Sequence, residues 1–209
     1  VTVQHADEVR AIVPDGIDPP ASIDPEIFAA ATSIYRAGQR LEMQALARQI
    51  GVGRATLYRR AGNREQVLDE VLWWQGRHAL VAAVEQTNGL RGTERIVAVI
   101  ERILHTIRAD AALRTLLETD PEGAMRLLTG ARSTVQQGMI GALARLIDLE
   151  TERGDFRATL DSPTLAYAIV RIAEGFLYAD IIADRAPDID QAHTVIAGLL
   201  RGVRAAAES

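Results

Sequence analysis

The sequence predicts an all-α protein, and three observations carry that expectation. Ala, Leu, Arg and Glu dominate, and all are good helix formers. Apolar residues recur one helical turn apart, whereas Val and Ile never fall into alternating runs. Helix-start signals, a capping side chain followed by proline, recur at Asp24-Pro25, Asp120-Pro121 and Ser162-Pro163. The 209 residues suit one or two small domains, and 48% hydrophobic with 24% charged residues is an ordinary globular balance.

Composition also removes chemistry. There is no cysteine, which excludes disulfides, thiolate metal sites and cysteine nucleophiles. All 23 basic residues are arginine, so lysine Schiff bases and lysine phosphate loops are excluded too. No apolar run reaches membrane-spanning length and the start has no signal-peptide pattern, so no membrane partner and a cytoplasmic location are expected.

In chain order, residues 1–23 hold Pro14, Gly16, Pro19, Pro20 and scattered acids, and they read as a flexible arm. Asp24-Pro25-Glu26 starts a helix whose apolar face is Ile27, Phe28, Ala31, Ile34 and Tyr35 and which ends at Gly38. Two short helices follow, near Met43–Ile50 and Arg54–Arg60. Asn63 then caps a long helix to about Gln86, whose apolar residues, Trp73 and Trp74 among them, spread around the axis. A helix apolar on more than one face touches more than one body, so this one reads as a connector. Beyond Asn88-Gly89 and Gly92, a helix from Thr93 to about Ala109 is followed by a short one from Asp120-Pro121. A longer one runs from about Ala131 to Arg153, and Gly154-Asp155 turns the chain. Ser162-Pro163 starts a helix to about Ala183, and Pro187-Asp188 starts the last.

The two short helices carry the functional signal. Leu46 and Ile50 share one face. Ala47 is small enough for close packing, Gly51 suits a positive φ at the turn, and Leu57 can plug the angle between the helices. This is the spacing of a helix-turn-helix, whose second helix enters a major groove. Seven arginines lie between Arg36 and Arg64 against the single acid Glu42, on a chain whose net charge is −5. A basic patch on an acidic body, set at such a turn, points to double-stranded DNA. Arg54, at the N-terminal end of the recognition helix, is placed to read a guanine edge; Thr56 and Tyr58 offer hydroxyls to phosphate, and Arg59 offers charge.

The run Gln44-Ala-Leu-Ala-Arg-Gln-Ile-Gly-Val-Gly-Arg-Ala-Thr-Leu-Tyr-Arg-Arg, with Asn63-Arg64-Glu65-Gln-Val-Leu68 after it, resembles the DNA-binding domain of TetR-family transcriptional regulators. Gly154-Asp-Phe156-Arg157 with Leu160-Asp161 resembles a segment of the family's regulatory domains. Departures are Ala61 for an aromatic, Arg64 for Lys, and Glu42 for a capping Ser or Thr. After the arm over 1–23, the resemblance implies a helix-turn-helix DNA-binding domain over 24–68 and a helical ligand-binding and dimerisation domain over 69–209. It further implies phosphate contacts from Gln44, Tyr58 and Arg64, a homodimer paired through the last two helices, and repression of a palindromic operator relieved by a small effector.

Candidate effector contacts are the polar and aromatic groups on otherwise apolar helices: Trp74, His78, His105, Arg108, Met125, Tyr167, Arg171, Glu174 and Tyr178. As a set they suit an elongated, mostly apolar molecule with one polar end. Arg171 and Glu174, three residues apart, read equally as an ion pair within the helix or across a subunit interface. No catalytic residue, metal site or cofactor is expected: there is no HExxH, no ExxH pair and no phosphate-cradling glycine loop. The alternative reading is a helical small-molecule-binding protein with weak or vestigial DNA binding.

Overall fold

The computed structural model describes residues 2–179, 183, 185 and 188–204, without the side chains of 2–5 and 179. Eleven α-helices are described: α1 Thr2–Ile12, α2 Pro25–Arg36, α3 Met43–Gln49, α4 Arg54–Ala61, α5 Arg64–Gln86, α6 Gly92–Ala109, α7 Ala111–Thr119, α8 Pro121–Thr129, α9 Thr134–Glu152, α10 Ser162–Glu174 and α11 Ile189–Gly202. A five-residue π-helical turn, Gly175–Ala179, extends α10. Among the described residues the only β-pairing is one isolated bridge, Ala158 with Arg204.

The helix starts obey local chemistry. The Asp24 side chain accepts from the Glu26 amide, with Pro25 at the first turn of α2. Asn63 and Gln66 form a reciprocal capping box at α5. Asp110, Asp120, Ser133, Asp161 and Asp188 cap α7, α8, α9, α10 and α11 in the same manner. Glu42 makes no side-chain cap on α3.

Helices α2, α3 and α4 enclose Ile27, Phe28, Ala31, Leu46, Ala47 and Leu57, all buried. Helix α5 carries this core onward through Val67, Leu68, Val71 and Leu72 to Leu80, Ala83 and Val84, so one continuous hydrophobic core runs from the N-terminal helices into the rest of the protein. There α6, α9, α10 and α11 form the body, and α7 with α8 bridges it back toward the N-terminal helices. Close approach of α5 and α9 depends on Gly138, where a Cβ would lie 2.3 Å from the Trp73 ring.

The N-terminal segment corrects the expectation of a flexible arm. α1 packs on α5 and α9, and Ile12 and Val13 are buried. Glu8 pairs with Arg95 and, at 2.9 Å, with Arg153; Arg95 also meets Glu150 at 2.9 Å. Arg95 and Glu150 are both fully buried, and Glu150 accepts from the Gly92 amide as well. At the end of α1 Arg145 donates to the Ile12 carbonyl, and beyond it Arg77 donates to those of Asp15 and Asp18 and Trp74 to that of Ile17. Pro14, Pro19 and Pro20 interrupt helix but do not prevent docking, because the carbonyls around them are taken by side chains from the body.

Other differences are smaller. Helix α7 is not expected from the sequence, because its Asp110 cap is followed by no proline. Helix α9 begins three residues later than expected, after the Ser133 cap. The expected continuation of α10 through 180–182, and Pro187 at the start of α11, lie outside the described residues.

Candidate nucleic-acid interface and ligand cavity

The turn between α3 and α4 holds Gly51 at φ 70°, the left-handed region that glycine occupies at least cost. Leu57 is fully buried beneath it, which fixes the outward face of α4. Arg54 and Arg59 are exposed there, Thr56 is half-buried, and Tyr58 is 38% exposed. The Arg54 guanidinium stands 5.4 Å from the Tyr58 ring centroid. Gln44 and Arg48 are exposed on α3.

The seven arginines of this region are not equivalent. Arg40 pairs with Glu42 at 2.8 Å and Arg60 with Asp24 at 3.7 Å, and Arg36 lies over Trp74. Among the described residues Arg48, Arg54 and Arg59 have no acidic partner. Arg64 also has a structural part: its Nε donates to the Leu41 carbonyl at 3.0 Å and its Nη1 to Asp120 at 3.0 Å, so it ties the N-terminal helices to α8. A lysine in its place would have to reach both oxygens from a single nitrogen, whereas the guanidinium offers donors on separate nitrogens in a fixed plane.

Inside the body lies a cavity of about 130 Å³. Its walls are apolar, from Leu80, Val99, Ile103, Leu143 and their neighbours, and Ile12 of the N-terminal segment contributes. Polar groups gather among Tyr35, Asp110, Gln136, Glu174 and Tyr178. The Tyr35 hydroxyl donates to Asp110 Oδ2 at 3.0 Å, although Tyr35 belongs to α2 and Asp110 to the junction of α6 and α7. Gln136 donates to Glu174 at 3.1 Å, and Arg171 donates to the other Glu174 oxygen at 2.9 Å from outside the lining. Burial, then the Asp110 charge, pushes the Tyr35 hydroxyl far above its ordinary range; burial and Glu174 do the same to Tyr178. Both stay neutral hydrogen-bonding groups.

Of the nine expected effector contacts, the structure brings only Glu174 and Tyr178 to the cavity. Trp74 instead packs edge-on against Phe28 and His78, and His78 bonds the Trp74 carbonyl. His105 and Arg108 contact each other on the exposed side of α6, with Glu101 3.9 Å from His105. Met125 lines a shallow groove on α8, and Tyr167, half exposed, lies against Arg171. The apolar stripe of α6 explains this placement: Ile103, Leu104 and Ile107 turn inward, so His105 and Arg108 turn out. Tyr35, Asp110 and Gln136 were missed. Tyr35 reads in sequence as core and Asp110 as punctuation, and neither carries a local signal for a cavity. Among the described residues no group of three or more His, Asp or Glu side chains stands close enough to hold a metal.

Two family models match this chain. One, described as the tetracyclin repressor-like C-terminal domain, matches residues 91–201; the other, bacterial regulatory proteins of the tetR family, matches residues 27–71. The chain belongs to the TetR family. It is thus a DNA-binding transcriptional regulator, and the region from α2 into α5 is the family's DNA-binding unit. Among solved structures it is similar to the R. erythropolis transcriptional repressor QsdR of the TetR family, with 29% identity and a TM-score of 0.72, covering 88% of this chain and 96% of that one. The Streptomyces coelicolor protein SCO7518, at 17% identity and a TM-score of 0.50 over 84% of this chain and 96% of that one, shares the fold. No curated protein matches the sequence. TetR regulators act as homodimers on operator DNA. Among the described residues no helix is long and apolar enough to cross a membrane.

Proposed function

We propose that this TetR regulator is a repressor released from a palindromic operator by a small, mostly apolar effector. A single observation carries the reading: the cavity is walled partly by the DNA-binding domain itself. Tyr35, on the first helix of that domain, lines it and is tied to Asp110. A molecule lodged there changes the seating of α2 directly, without relying on α5 alone. The Arg64–Asp120 pair is the second tie between the two parts.

On DNA, Arg54 reads a base edge and Gln44, Thr56, Tyr58 and Arg59 contact the backbone. Pairing of two subunits through α10 and α11 sets the recognition helices about 34–36 Å apart, one turn of the duplex. Val195, exposed on α11, and Gly198 and Gly202, with open space where a Cβ would stand, supply a face on which a second helix can approach closely. An effector weakens binding only by as much as it prefers the released conformation over the bound one.

The test is fluorescence anisotropy on DNA from upstream of the gene, titrated with salt and with candidate effectors. A specific complex with a steep salt dependence, loosened by an effector that protects the protein from heat, is the expected result. Specific, salt-sensitive binding that no cavity ligand alters would refute ligand control, and absence of specific binding would refute repression.

A further inference from the structure

Gly76 stands near the middle of α5, a helix of 23 residues, where alanine is the far better helix former. The backbone does not require it, because Gly76 is not among the glycines with positive φ. Rigid neighbours do not require it either. At Gly138 a Cβ would strike the Trp73 ring at 2.3 Å, and at Gly92 the Asp155 carbonyl oxygen at 2.3 Å. At Gly76 the nearest atom to a Cβ is the terminal methyl of Met139, at 3.0 Å, and the next is the Trp73 ring at 3.5 Å, an ordinary contact. Only a flexible tip leans on the missing side chain, since methionine is unbranched and turns about three bonds. Gly76 and Met139 both line the apolar cavity, one from α5 and the other from α9. Leu72, Leu80, Val135 and Leu143 beside them are buried, whereas Met139 is only partly so.

We propose that Gly76 is a specificity-determining residue of the cavity: the room left by its missing side chain lets Met139 retreat toward α5, so that a long apolar tail lies between α5 and α9. The space enclosed with Met139 in place, about 130 Å³, is close to that of an engineered apolar cavity that accepts benzene, a molecule of about six carbons. With Met139 withdrawn, the cavity takes a straight tail longer than that, and the ligand class is an unbranched chain rather than a compact ring. The glycine weakens α5 in exchange for this reach. The inference rests on the effector site proposed above and adds which residues set the length of its ligand.

The experiment is calorimetric titration of the full chain with butan-1-ol, hexan-1-ol and octan-1-ol, beside Gly76→Ala and the double variant Gly76→Ala/Met139→Ala. Each methylene that finds apolar room adds about fourfold to affinity. Wild type is expected to bind octan-1-ol about tenfold more tightly than hexan-1-ol. In Gly76→Ala the new methyl blocks the retreat of Met139, and that gain is expected to vanish while butan-1-ol affinity stays unchanged. Removing Met139 as well is expected to restore the gain. Thermal melts supply a readout of opposite sign: Gly76→Ala is expected to melt above wild type, because alanine favours helix and the Met139 tip gives way slightly. The proposal is overturned if Gly76→Ala keeps the octan-1-ol gain, if butan-1-ol weakens as much as octan-1-ol, or if Gly76→Ala melts below wild type. A double variant that folds without restoring the gain overturns it too; if that variant does not fold, Gly76→Ala alone decides. Failure of all three alcohols to bind wild type at millimolar concentration sinks the effector site along with it. Binding whose length dependence ignores Gly76 leaves the effector site standing and sinks only the role of Gly76.

Discussion

Arg54 opens α4 with its guanidinium over the Tyr58 ring, 5.4 Å from the centroid, and among the described residues no acid pairs with it. A cation supported on an aromatic face enters the groove partly ordered, so less freedom is lost on contact with a base. Arg54→Ala is expected to weaken specific binding by about 1–3 kcal/mol and to relax one operator position, read on a panel of mutated half-sites. A uniform loss across the panel would reassign Arg54 to the phosphates. Glu8 yields a different prediction. Burial raises its pKa, but the hydrogen bonds and charges of Arg153 and Arg95 outweigh that and hold the carboxyl below its ordinary 4.5. A group depressed by folding contributes stability that is present above its unfolded pKa and is lost as pH falls through the folded one. Urea melts should therefore show wild type losing stability below about pH 4.5 more steeply than Glu8→Gln, with the two curves converging in acid. Parallel curves would mean that Glu8 is not ion-paired in solution.

At the scale of the element, what could be read beforehand depended on whether the cause was local. Caps, glycine turns and the recognition helix depend on neighbours within a turn or two, and Asp24, Gly51 and Asn63 each took the expected part. Helix α1 and the cavity depend on partners far along the chain: Glu8 meets Arg153, and Tyr35 meets Asp110. No periodicity encodes such pairs, which is why the N-terminal segment reads as loose and His105 reads as a ligand contact. Arg64 is an intermediate case, since its charge was legible and its partner Asp120 was not. Helix α3 offers a direct test of local chemistry. Glu42 supplies no side-chain cap, and its pair with Arg40 is well exposed. Glu42→Ser is expected to stabilise the protein by about 1 kcal/mol, seen as a higher unfolding midpoint. A lower midpoint would show that the exposed pair matters more than the missing cap.

For the whole molecule, the DNA-binding helices are joined to the body by more than α5. Tyr35–Asp110, Arg64–Asp120 and the segment running from α1 into Asp24 act in parallel. Parallel ties make the seating of α2 to α4 cooperative, so loosening one shifts the balance among conformations without dismantling the shared core. Tyr35→Phe and Asp120→Asn should therefore leave operator specificity intact while shrinking the ratio of operator affinities measured without and with effector. An unchanged ratio in both variants would place the coupling in α5 alone.

The chain's two tryptophans have a practical consequence. Trp73 is pressed against Gly138 where α5 meets α9, while Trp74, its neighbour in sequence, donates to the Ile17 carbonyl and touches Phe28 of the DNA-binding unit. Adjacent indoles thus look into opposite halves of the protein. Replacing either with phenylalanine leaves a single tryptophan, so indole emission and quenching, excited where the four tyrosines do not absorb, can follow the body and the DNA-binding helices separately, with no dye attached.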